Sequence, residues 1–248
     1  MIILGITATA GRHWCMERTL GMFLQQDCPN SKLLIYNNAG IDLSLSDNVD
    51  KERVILINNN ISKSTGIPYT NLGDIYNDCI KYIEELGINP DIITHMDDDD
   101  IYFPNHLSKG IEGYIKGNKL AYKPAKSFYH DINGIHLMEN VLEPSIFVNY
   151  NHIKEHGYFD RNVDLHHKWL QPLIDKGEIF VDIQGEPTFI YDWNVGVPTW
   201  KTSGDPHNPN NFDNYRYFSQ DNGDRVLTPF PLKDLKKYYE VSVGSKIR

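Results

Sequence analysis

No apolar run in this sequence approaches the roughly 18 residues that a membrane-spanning helix needs. The opening stretch, MIILGITATAGRH, has no basic flank ahead of its short apolar run, so it reads as a first β-strand and not as a signal peptide. Both absences point to a cytoplasmic protein without a transmembrane segment. Cysteine is scarce. Cys15, Cys28 and Cys79 are odd in number and match no zinc or C-x-x-C spacing, so three reduced, buried thiols are expected. Lys and Arg, 24 together, are outnumbered by 33 Asp and Glu, and the net charge of −9 weighs against sequence-independent binding to nucleic acid. Neither an internal repeat nor a linker divides the 248 residues, so one domain is expected.

Short apolar runs alternate with longer amphipathic stretches. MIILGITA, residues 32–38, 53–59 and 91–97 read as strands. CMERTLGMFLQQD carries Met16, Leu20, Phe23 and Leu24 on one helical face, and residues 69–87 repeat that spacing until Gly87 stops them. The series β-α-β-β-α-β predicts a sheet with helices on both faces. Beyond residue 118 the pattern changes. Residues 119–140 contain strand-like pieces, 145–157 a strand running into a short helix ended by Gly157, and 164–177 a helix containing Pro172. Two short strands follow in 179–193. Pro, Gly, Asn and Asp then crowd residues 194–222, which read as a long flexible loop.

Ligands of such sheets bind beyond the C-terminal ends of the strands. Three polar clusters fall there: TATAGR (7–12), NNAGID (37–42) and the four aspartates Asp97, Asp98, Asp99 and Asp100. Adjacent carboxylates repel, so a metal ion, a basic side chain or water is expected beside them. Hard carboxylate oxygens suit Mg²⁺ or Mn²⁺. In extended backbone Asp97 and Asp99 would share one side.

Taken in order, these stretches resemble the family-2-type glycosyltransferases with a GT-A fold. IITHMDDDDIYFPNHL is similar to that family's aspartate signature, and ITATAGRHWCMERTLGMFLQQD to its opening strand, Arg-containing loop and helix. LLIYNNAGID resembles its second-strand turn, NNNISKSTGIPYTNLGDIYNDC its Asn-containing helix, and SIFVNYNHIKEHGYFD the element before its catalytic helix. The likeness covers roughly residues 1–180. It implies an α/β fold: a single GT-A-type domain over 1–248, with a Rossmann-like mixed sheet flanked by helices. Residues 1–107 would be the nucleotide-sugar-binding half and 108–248 the acceptor-binding and catalytic half.

The implied reaction moves a sugar from a nucleotide-diphosphate donor, a UDP-sugar first, to an acceptor hydroxyl, with inversion and with Mn²⁺ or Mg²⁺ as cofactor. By the resemblance, Thr7, Ala8 and Arg12 hold the nucleotide together with Asp97 and Asp98. Asp97 contacts the ribose and shares the metal with Asp99. Asn37 or Asn38 stands where the family offers an Asp to the base, and Asn71 matches the helix Asn. The acidic pair that supplies the family's general base is absent, which leaves Asp164, His166 and His167 as candidates. Lys201 stands near the family's late His ligand and could pair with the diphosphate, with His207 or Asp192 an alternative metal ligand. Residues 129–131, Glu139, Asn140 and Trp200 are expected around the acceptor. A glycan, a protein or a hydroxylated nucleobase all remain open as that acceptor. Two other readings compete: a nucleotidyltransferase-like enzyme, and a non-catalytic module that binds carbohydrate or a cation.

Overall fold

The computed structural model describes residues 1–10, 12–131, 134–139, 145–161, 164–192, 226–233 and 235. The expected loop at 194–222, with Trp200, Lys201 and His207, lies outside the described residues, as does Asn140. The central sheet is built from β1 (Ile3–Thr9), β2 (Ser31–Asn37), β4 (Val54–Asn58), β5 (Ile92–His95), β7 (Ala121–Pro124), β10 (Phe147–Asn149) and β11 (Ile179–Asp182). Their order across the sheet is β11-β7-β10-β5-β1-β2-β4. β1 runs parallel to both neighbours, with Ile6 opposite Leu34 and His95, while β10 runs antiparallel to β5 and β7. The sheet is therefore mixed, as expected, and strands from both halves of the chain share it.

Strands buried on both faces need continuous apolar runs, and ILGITAT and SKLLIYN supply them. Side chains alternate between faces. Ile3, Leu33, Ile35 and Ile92 pack toward Met16, Leu20 and Phe23 of α1 (His13–Leu24). Leu4, Ile6, Leu34 and Tyr36 pack on the other face against Ile75, Cys79 and Ile83 of α2 (Leu72–Glu85) and Trp169 of α5 (His167–Asp175). All three cysteines are free and buried. Among the described residues no helix is long and apolar enough to cross a membrane.

The helix α3 (His106–Gly117) lies on the α1 face and approaches the sheet very closely. A Cβ at Gly110 would sit 2.1 Å from the ring of Phe147, and one at Gly113 would sit 2.1 Å from that of Tyr122. The short helix α4 (Tyr150–His156) follows β10, capped by Asn149 and ended by Gly157 at φ 66°.

The sequence reading did not foresee a second sheet. It has the order β6-β12-β8-β9, from β6 (Ile101–Tyr102), β12 (Phe189–Asp192), β8 (Lys126–Asp131) and β9 (Gly134–Glu139). β6 begins directly after the four aspartates and pairs antiparallel with β12, while β12 runs parallel to β8. The remaining pair is small: β3 (Ser44–Leu45) beside β13 (Val226–Leu227).

Two histidines are built into this core. His106 packs against Tyr102, Phe147 and Phe189, with Nδ1 2.9 Å from Thr188 Oγ1. His95 lies against Tyr76, with Nε2 3.0 Å from Tyr158 Oη. Burial pushes His106 down to about 3 and His95 down to about 4. Both stay neutral in the fold while the unfolded chain takes up protons below about pH 6.5. Their contribution is therefore complete above that pH and is lost as the pH falls toward 4 and 3. Each should cost about 2–3 kcal/mol by pH 4.5. In urea melts, His106→Phe should lose less stability than the wild type between pH 6.5 and 4.5. Equal losses would show that His106 is not a source of the acid sensitivity.

Candidate active site

The four aspartates follow β5, the strand beside β1 near the middle of the sheet. They form a turn, closed by Asp100 N–H donating to Asp97 O at 3.3 Å. The extended backbone expected from strand alternation is therefore not what sets the carboxylates. The turn sends Asp98 inward, where it is 1% exposed. Arg12, at the N-cap of α1, donates through Nε to Asp98 Oδ2 at 3.1 Å and through Nη2 to Asp98 Oδ1. Its Nη1 reaches Asp99 Oδ2 at 3.0 Å. One fork thus spans two carboxylates, a geometry that suits guanidinium. Burial still dominates at Asp98. It pushes the carboxyl up to about 6, against the pull of Arg12 and with the help of Asp99.

A second arginine serves the far end of the run. Arg18, one and a half turns along α1, is fully buried. It donates through Nη1 to Asp192 Oδ2 at 3.2 Å and through Nη2 to the backbone oxygen of Asp100 at 3.4 Å. Asp100 Oδ1 accepts from the backbone N–H of Asp192 at 3.0 Å. Asp192 Oδ1 lies 2.8 Å from His130 Nδ1. Thr19 Oγ1 donates to Asp98 O at 3.2 Å, a third tie between α1 and the turn. Arg18 was missed in the sequence, and so was the pairing of Asp192 with His130, one of the residues 129–131 expected around the acceptor. Arg18 sits among ordinary helix residues, and its partner lies 174 residues further along the chain.

Asp97 has a different neighbour. Its Oδ1 accepts from Tyr76 Oη at 3.1 Å. The Tyr76 ring belongs to a cluster with His95, Tyr158, His166 and Trp169, and His166 lies 6.1 Å from Tyr76 and 4.6 Å from His95. Burial, then His95 and His167, push the His166 imidazole well below its usual range. His166 is thus wedged among rings at the start of α5, while His167 and Asp164 are exposed on the same stretch. Asp164 adopts φ 52°, a left-handed conformation that Asp tolerates better than most residues. Its backbone oxygen accepts from Arg161 Nη2 and from the N–H of His167, each at 3.1 Å. The segment is docked on α2. A Cβ at Gly73 would sit 1.7 Å from Phe159 O, and the Asn77 amide brackets the backbone of Tyr158.

Other expected residues are engaged in holding the backbone. Thr7 is buried and donates to Met96 O at 2.5 Å, and Ala8 is half-buried one residue on. Asn37 is buried, donating to Ile41 O and Asn58 Oδ1 and accepting from Ala39 N–H. Asn38 follows it half-buried, its N–H donating to Thr9 O. Asn71 caps α2, accepting from Asp74 N–H at 2.8 Å. Glu139 is exposed and pairs with Lys126 at the end of β8 away from His130, about 13 Å along the strand from the network at Asp192.

Among the described residues no three His, Cys, Asp or Glu converge on a point where a metal could sit. Asp97 and Asp99 can supply two carboxylates. Mg²⁺ is commonly held by one or two carboxylates with substrate phosphates and water completing the shell, so the residues fit a divalent ion that arrives with a diphosphate.

No protein-family model matches the sequence, and no curated protein matches it. Solved structures do. TarS from S. aureus, residues 1–349 in complex with UDP, superposes with a TM-score of 0.58 at 11% identity, over 77% of this chain and 60% of that one. The mannosyltransferase PcManGT from Pyrobaculum calidifontis, in complex with GDP-Man and Mn²⁺, gives 0.55 at 10% identity, over 78% of this chain and 57% of that one. Glucosyl-3-phosphoglycerate synthase from Mycobacterium tuberculosis, with Mn²⁺, UDP and glucosyl-3-phosphoglycerate, gives 0.50 at 10% identity, over 73% and 69%. This chain thus spans about 60% of the length of TarS 1–349. The likeness establishes a GT-A-type α/β fold.

The Arg18–Asp192 pair offers a direct test of the site's scaffold. Arg18→Met leaves a buried carboxylate without its guanidinium, and such a break typically costs about 3–5 kcal/mol. Urea unfolding at pH 7 should show a loss of that order. A loss under about 1 kcal/mol would mean that Arg18 does not hold the turn.

Proposed function

We propose that this chain is a glycosyltransferase that moves a sugar from a nucleoside-diphosphate donor to an acceptor hydroxyl, with inversion and with Mn²⁺ or Mg²⁺ as cofactor. The observation that carries the reading is the aspartate turn at the C-terminal edge of β5, in a fold shared with proteins solved with UDP, UDP-GlcNAc or GDP-Man and Mn²⁺. Ligands of open α/β sheets collect at that edge. On this reading residues 1–107 receive the donor and 108–248 the acceptor.

Asp97, held by Tyr76, meets the ribose of a UDP-sugar, and Asp97 and Asp99 are the residues that would hold the ion. When bound, a divalent cation acts as a Lewis acid on the departing diphosphate. Arg12 faces Asp98 and Asp99 and is placed to follow negative charge arriving there. The half-buried Ala8 and Asn38 flank the same edge, and Lys201 and His207 keep their proposed roles toward the diphosphate and the ion. The acceptor proton needs a base, for which Asp164, His166 and His167 are the candidates by family likeness.

One observation favours a second reading. Arg12 already bridges Asp98 and Asp99, so protein charge alone partly accounts for the aspartates, as in a non-catalytic binding module. Thermal-shift titration separates the two. UDP and GDP, each with and without Mn²⁺, should raise the melting temperature by several degrees near 100-fold excess over Kd, and only with the metal. Asp99→Asn should abolish the metal-dependent part while its ligand-free melt stays close to the wild type. A shift that ignores both Mn²⁺ and Asp99 would remove the proposed cation.

A further inference from the structure

We propose that His130, held by Asp192, is the general base for the acceptor hydroxyl; this rests on the glycosyltransferase reading and replaces the 164–167 segment in that role. Strand pairing makes the case first. β12 and β8 run parallel with Asp192 opposite His130, and β12 runs antiparallel to β6 with Ile190 opposite Ile101. The ends of β12 and β8 that carry Asp192 and His130 therefore lie at the start of β6, where the aspartate turn ends. The bond from Asp192 N–H to Asp100 Oδ1 closes that edge. His130 thus stands one strand away from the segment that holds Asp99 and Asp100, on a different element from the base expected by family likeness.

The chemistry of the pair follows from burial. Asp192 is 2% exposed, whereas the His130 side chain is 25% exposed. One oxygen of Asp192 takes the fully buried Arg18, and the other takes His130 Nδ1. Arg18 is fixed in turn on the Asp100 carbonyl. A carboxylate held on both sides in this way fixes one tautomer, with the proton on Nδ1 and the lone pair on Nε2, at the opposite edge of the ring. A carboxylate, an oriented imidazole and an outward nitrogen are the parts of a proton acceptor. His166, by contrast, has its Nδ1 buried without a partner among aromatic rings.

In the step, Nε2 takes the proton of the acceptor hydroxyl while that oxygen forms a bond to the anomeric carbon. The bond from that carbon to the donor diphosphate breaks, and its electron pair leaves on the nucleoside diphosphate. Asp192 stabilises the imidazolium that results. The proton passes to solvent through the exposed edge of the ring.

The acceptor can be replaced by water for the test. The full chain is given UDP-GlcNAc, UDP-glucose or GDP-mannose with Mn²⁺, and release of nucleoside diphosphate is followed, with UDP binding titrated in parallel to count folded sites. His130→Ala should bind UDP as tightly as the wild type and turn over about 10²–10⁴-fold more slowly, the range of a lost general base. Added imidazole should then restore at least tenfold of the loss, which a merely structural role for His130 would not allow. His130→Gln, which keeps a donor toward Asp192, should be equally slow but not rescued. The proposal is overturned if His130→Ala turns over within about threefold of the wild type, or is slow without imidazole rescue, or if Asp164→Asn alone shows the full loss. A wild type that binds UDP with Mn²⁺ yet releases no diphosphate from any donor overturns the transferase reading itself, ahead of any role for His130.

Discussion

Four successive carboxylates at the end of a buried strand need compensation, and α1 supplies the positive charge for Asp98 and Asp99. Arg12 from the helix N-cap takes Asp98 and Asp99, and Arg18 takes Asp192 and the Asp100 carbonyl. Removing either guanidinium would break a largely buried ion pair, which is more costly than losing a surface pair. The position of α1 on the sheet, the shape of the turn and the entry of the chain into β6 are consequently one problem with one solution. The apolar stripe of Met16, Leu20 and Phe23 sets which face of α1 is buried, and the arginines set where along the strand ends it sits.

From that turn two polar routes lead outward. Asp100 leads through Asp192 to His130 and the second sheet. Asp97 leads through Tyr76 into the aromatic cluster beneath His166 and Trp169. The aspartate edge of the first sheet and the later segments are thereby tied by side chains with two or three fixed contacts each. Precision of this kind is what a reacting geometry needs, since small displacements of oriented groups are expensive in rate.

The first half of the fold was plain in the sequence because its signals are local. Unbroken runs such as LLIY name buried strands, Asn71 and Gly87 punctuate α2, and Gly157 ends α4. The location of the aspartates at the end of β5 followed from the same logic. Their conformation did not, because alternation describes extended chain and the run turns. β6, two residues long, has no periodicity to detect. The arginine partners were equally hidden. Arg18 is buried by a sheet whose strands come from residues 101–192, and only the register of β8 with β12 brings His130 to Asp192. The histidines of 166–167 stood out by position in the chain, yet the volume filled by Tyr76, Tyr158 and Trp169 decides what His166 can do.

The contact between α3 and the sheet bears on how such a chain can change over time. Gly110, Gly113 and Gly117 stand against the rings of Phe147, Tyr122 and Phe180, each with too little room for one more carbon. Overpacking of that kind cannot be absorbed by a side-chain rotation when the helix backbone itself forms the wall. A larger residue on the helix is acceptable only together with a smaller ring on the strand, and the two effects are strongly non-additive. The layer that supports the candidate site therefore drifts by paired replacements, while the outer face of the same helix is free to vary one residue at a time.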